Sequence, residues 1–308
     1  MNQYFKQLWL SQTYNSLLSE RIKEGSEKVV VVIAVASFVI HLIFIILANQ
    51  GWLPEALNVK LAGDPIAAIY TPFSFILIYE VYLLIYYIPK SFTIYVSKQY
   101  EIITLIVIRR LFKDLSNLDL SSNWFEDQAD LQFTYDIIST IALFGLIFLF
   151  YRLNQQRIAS QSSSDVGMSD RVERFIRIKS LIAMCLVPLL FLMASITLID
   201  WLQVSLNPEL SQEVSKIGDV NNIFFDQFFT VLILIDVFLL LFSFTLTHQF
   251  SQVIRNSGFI ISTILIRLSF SVDGLLNTLL IVVAVSFGVI ILAIHNQYEK
   301  ISIPSKLD

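Results

Sequence analysis

Residues 75–87 read FILIYEVYLLIYY, and residues 231–243 read VLILIDVFLLLFS. Each is an apolar run with one carboxylate near its middle, Glu80 in the first and Asp236 in the second. Long unbroken apolar runs with little alternation at period two argue for membrane helices and against a membrane β-barrel. An unpaired charge at bilayer depth costs about 2.5–3.5 kcal/mol on insertion scales, so each acid calls for a partner.

The surroundings agree with a membrane setting. Of 308 residues, 56% are hydrophobic and 15% charged, and mean hydropathy is +0.69. A soluble surface cannot be built from that composition. Apolar runs near 28–49, 66–89, 92–112 and 132–152 predict four helices, and runs near 178–200, 223–247, 252–270 and 276–297 predict four more. The predicted fold class is an all-α polytopic membrane protein with about eight membrane helices. The net charge of −4 is no nucleic-acid signal. The single cysteine, Cys185, lies inside an apolar run and forms no intrachain disulfide. The first 27 residues are too polar for a cleavable signal peptide. Their spaced apolar residues suit a helix on the membrane surface, or equally one packed on a partner or on the protein's own polar face.

The two sets of four helices resemble each other. SERIK at 19–23 matches SDRVE at 169–173, and the two opening stretches align acid over acid. ITLIVIRRLF at 103–112 matches IISTILIRLSF at 260–270, placing Arg110 over Arg267. LFGLIF at 143–148 matches SFGVII at 286–291, placing Gly145 over Gly288. Four matches in one order predict a tandem duplication, an arrangement common in transporters. The expected organisation is an interfacial helix over 1–27, one unit over 28–152, a polar linker over 153–177, a second unit over 178–297 and a tail over 298–308.

Lys and Arg set the expected orientation. The linker carries Arg152, Arg157, Arg171, Arg174, Arg177 and Lys179, and the N-terminal segment Lys6, Arg21, Lys23 and Lys28. Both are expected in the cytoplasm, as is the C-terminus, in a plasma (inner) membrane. The acidic loops around 113–130 and 200–222 are expected outside.

The third run, FTIYVSKQYEIITLIVIRRLF, has a polar centre. Lys98, Glu101, Leu105 and Arg109 fall on one helical stripe, which is expected to turn toward the bundle interior or a water-filled cavity. A second reading lays residues 89–101 along the interface and makes the segment re-entrant. If residues equidistant from the 89–91 turn share a level, Glu80 lies opposite Glu101, with Lys98 one turn away. By the same count Asp236 lies opposite Gly258, with Arg255 one turn away. Glu80 and Arg110 then differ in depth by roughly 14 Å at ~1.5 Å per residue. The expected intramembrane pairs are therefore Glu80 with Lys98 and Asp236 with Arg255. Glu101 beside Glu80 makes the first unit the better protonatable site. Secondary candidates are Arg109, Arg110 and Arg267, read as snorkelling to outer headgroups. Asp136 is a candidate partner for Arg110, and Asp273 or Asp226 for Arg267. His41 is read as a hydrogen-bonded packing residue or a proton relay.

Three scattered histidines and one cysteine supply no metal-ligand spacing, and no cofactor motif is present. No catalytic constellation assembles, so no enzyme is expected. The arrangement LIYEVYLLI…LIVIRRLF, with Glu80 and Arg110, resembles PsiE-like four-helix membrane proteins. The resemblance covers about half of each unit and implies architecture only. The expected function is a small-ion or proton channel or transporter, lined by the seam between the second and third helices of each unit. The alternative is a non-catalytic membrane subunit that scaffolds or regulates a partner complex. Expected partners are the lipid bilayer and either further copies of the chain or another membrane protein, with no nucleic acid.

Overall fold

A computed structural model describes residues 16–52, 68, 70–115, 128–161, 170–206, 220–245, 249–272 and 274–302. Among these residues the chain is all-helical. Its eight long helices are α1 (Glu20–Asn49), α2 (Tyr70–Tyr87), α3 (Phe92–Leu115), α4 (Gln128–Gln161), α5 (Asp170–Leu206), α6 (Val220–Phe244), α7 (Phe250–Ser269) and α8 (Leu275–Ser302).

Every predicted apolar run is a helix, but several helices overrun the predicted limits. Helix α1 starts at Glu20, where the Ser19 side chain caps it by accepting from the Ile22 amide at 3.3 Å. Nothing then interrupts the helix at residue 28, so the surface segment expected over 1–27 and the first membrane run share one helix from Glu20 onward. Residues 1–15 lie outside the described residues. Gly51 ends α1 with φ +74°, its amide bonding Ala48 O while Trp52 N reaches Leu47 O. The polar linker is also shorter than read. Helix α4 continues to Gln161 and α5 begins at Asp170, because Gln, Arg and Ala sustain a helix once an apolar stretch anchors it. At ~1.5 Å per residue, the 34 residues of α4 extend about 50 Å, well past a hydrocarbon core of ~30 Å.

Among the described residues, five helices are long and apolar enough to cross a membrane: Glu20–Asn49, Asp130–Gln156, Val172–Ile196, Gln227–Phe244 and Leu275–Ile301. The apolar part of α2, Thr71–Tyr87, is shorter. Helices α3 and α7 are not among the five, and α3 carries Lys98, Glu101, Arg109 and Arg110.

Sequential helices pack as neighbours, α1 on α2, α2 on α3 and α3 on α4, then α5 on α6, α6 on α7 and α7 on α8. The halves meet where α4 packs on α8, α3 on α7 and α2 on α5. The core between them is aromatic. Tyr100 of α3 meets Phe150 of α4 edge-on at 5.3 Å, and Phe150 lies 5.6 Å from Phe259 of α7. Two glycines let α7 and α8 close in. A Cβ on Gly258 would stand 2.8 Å from Ile291 side-chain atoms, and one on Gly288 would stand 1.8 Å from the Tyr100 hydroxyl. Small residues at such crossings are the usual means of bringing membrane helices together.

Candidate functional site

The site is built on α3, which α2, α4 and α7 surround. Thr93, Ser97, Tyr100 and Thr104 recur at helical spacing and are all buried. Their burial is cheap because two of them bond to their own helix: Ser97 donates to Ile94 O at 2.8 Å and Thr104 to Tyr100 O at 2.9 Å. Tyr100 makes the crossing contact to α7, 2.7 Å from Ser262 Oγ. Ser262 in turn donates to Ala284 O of α8 at 2.6 Å.

The charged stripe lies elsewhere. Lys98 and Glu101, expected to face the interior, keep 29% and 34% of their side chains exposed, and Leu105 of the same stripe is 46% exposed. Two stripes compete for the interior, and the one whose hydroxyls are satisfied within the bundle takes it. Lys98 bonds Glu101 at 2.7 Å on its own helix, and Tyr151 of α4 donates to the same carboxylate. Residues three apart on one helix are already neighbours. That local pairing replaces the expected Glu80–Lys98 pair and removes Glu101 from Glu80.

Glu80 is buried on α2, and the charge that acts on it most is Arg109 of α3. Asp236 is fully buried on α6, with Arg267 Nη2 3.0 Å from its Oδ2. Tyr95 of α3 donates to its other oxygen at 2.9 Å. Asp236 therefore pairs with Arg267 and not with Arg255, and Arg267 does not snorkel, being 4% exposed. The level count failed because it compared backbone positions. Side chains lean toward the N-terminus of their own helix. Along antiparallel neighbours, an acid on one and an arginine on the next lean toward each other and close a depth difference of roughly 14 Å.

Arg255 instead lies 3.0 Å from His295 Nε2, beside Glu299, which is 3.1 Å from the same nitrogen. Arg110 pairs with Asp136, as its position suggested, and bonds Asn277 Oδ1 at 2.6 Å and Thr278 Oγ1 at 3.3 Å. Thr278 donates to Asp136 at 2.8 Å, and Asn277 to Ser269 O at 2.6 Å. One cluster thus ties α3, α4, α7 and the start of α8. His41 Nδ1 bonds Thr71 Oγ1, joining α1 to α2. Asp273 and the side chain of Asp226 lie outside the described residues. No group able to hold a metal ion occurs among the described residues.

Tyr95, Tyr100, Ser262, Asn277, Thr278 and Lys179 were not singled out from sequence. The 93, 97, 100, 104 spacing was a readable signal for the buried stripe. Asn277 and Thr278 had none, since their partner lies more than a hundred residues away.

Against protein-family models, curated proteins and solved structures, the chain matches nothing. The bundle geometry therefore stands on its own, as a helical bundle with several helices able to span a membrane.

Proposed function

We propose that this is a multi-pass plasma (inner) membrane protein of eight spans, non-enzymatic, that conducts small cations or protons along α3. The observation that carries the reading is the series of polar contacts that α3 makes with its neighbours. In order along the helix they are Tyr95–Asp236–Arg267, Lys98–Glu101–Tyr151 on the more exposed face, the Tyr100–Ser262 crossing and Arg110–Asp136. Ionisable groups within a membrane bundle mark ion and proton paths more often than chance placement would. Glu80, buried under the field of Arg109, is the acid best placed to exchange a proton.

In this reading both termini lie in the cytoplasm, on the side of the α2–α3 turn at 88–91. The repeated packing order of the halves supports their origin by tandem duplication.

Purified protein in liposomes is expected to dissipate an imposed pH or cation gradient, and Glu80→Gln to slow it at least tenfold. Vesicles as tight as protein-free controls would sink the reading. The rival is a non-conducting subunit that scaffolds a partner complex, favoured by α1, whose most apolar stretch is only 11% buried. Tight vesicles together with a stoichiometric membrane partner on purification are its expected outcome. A pore between copies of the chain would instead show as a defined homo-oligomer.

A further inference from the structure

Lys179 of α5 is 2% exposed, yet among the described residues no carboxylate bonds to it. Its ammonium donates to Lys90 O at 2.7 Å and stands over the rings of Phe92 and Phe175, at 4.5 and 5.1 Å. The acid whose field reaches it, Asp236, is held by Arg267 and Tyr95. A buried cation served only by ring faces and one carbonyl retains donors and charge for a further partner.

The surrounding space supplies room for one. A cavity of about 600 Å³ lies between the α2–α3 turn, the first turns of α5, and the adjoining ends of α6 and α7. Lys90, Lys179 and Arg255 line it, with the amides of Gln252 and Asn256 and the hydroxyl of Ser91. No carboxylate is among its described lining residues. Arg255 is itself positioned by Asn256 Oδ1 at 3.0 Å and His295 Nε2 at 3.0 Å. One wall is apolar, built by Phe92 and Phe175, whose rings stack at 6.1 Å.

From three cations, an amide and hydroxyl rim and an apolar wall, we infer that this cavity binds a phosphate-bearing anion. Basic pockets between membrane helices hold acidic headgroups in this way, and phosphate oxygens accept from ammonium, guanidinium and amide donors together. The shared chemistry is a phosphate group, on a lipid or on a soluble ester. The site stands independently of any ion flux, because its residues are not those of the α3 succession.

The test uses the full-length protein in nanodiscs of phosphatidylcholine with and without phosphatidylglycerol. Native mass spectrometry reads retained lipid, and a thermal-shift titration with inorganic phosphate runs in parallel. Retention of phosphatidylglycerol, weakened about fivefold by Lys179→Gln and by Arg255→Gln, establishes the site with a lipid occupant. Saturable stabilisation by phosphate with the same sensitivity establishes it with a soluble one. Arg255→Gln and Lys90→Gln carry the test if Lys179→Gln does not fold. Binding that is absent in both arms, or that falls equally in the exposed control Arg174→Gln, overturns the inference.

Discussion

Gly145 of α4 and Gly288 of α8 sit in similar stretches, LFGLIF and SFGVII, and their surroundings have nothing in common. Around Gly145 no atom lies within 4 Å of an added Cβ, whereas at Gly288 the Tyr100 hydroxyl already occupies that space. The acids diverge too. Asp236 is locked by Arg267 and Tyr95, while buried Glu80 makes no ion pair among the described residues and feels mainly the charge of Arg109. Similar stretches of sequence thus give a lock in the second half and a looser arrangement in the first. The lesson is that similar sequence in two regions of one chain need not carry similar energies.

Five substitutions test the contrast. Arg267→Ala should have the largest effect, about 3–5 kcal/mol of lost stability, because it strands a buried carboxylate; thermal unfolding in detergent measures it. Glu80→Gln should cost clearly less in the same assay, and equal losses would erase the proposed asymmetry between the halves. Gly288→Ala should follow at about 1–3 kcal/mol, the usual cost of overpacking, as Tyr100 is driven off Ser262. Tyr95→Phe should cost about 1–2 kcal/mol, the share of one buried bond to a charge. Gly145→Ala should be the mildest, neutral or stabilising by about 0.5–1 kcal/mol, since alanine favours a helix where space is open. A destabilised Gly145→Ala protein would mean that some other molecule packs against that face.

How much was legible beforehand follows from the same residues. The eight helices were readable because apolar runs of membrane length admit little else once backbone groups must be satisfied internally. The Arg110–Asp136 pair was readable because both lie near helix ends facing the same side. The pairs at Glu80 and Asp236 were misassigned because helix levels were counted along the backbone, while side-chain lean moves the charged atoms toward each other. The Lys179 cavity was unreadable, since its walls come from four helices spread from residue 89 to residue 256.

Composition and periodicity alone determined that this chain is a bundle of long apolar helices and roughly where each lies, with ends that the helices overrun by up to nine residues. Only the tertiary structure decided which stripe of α3 faces inward, which arginine meets Asp236, and which glycine is indispensable. Helix formation in an apolar setting depends on the local run of residues, whereas the partner of a buried charge depends on how neighbouring helices tilt, lean and close on each other.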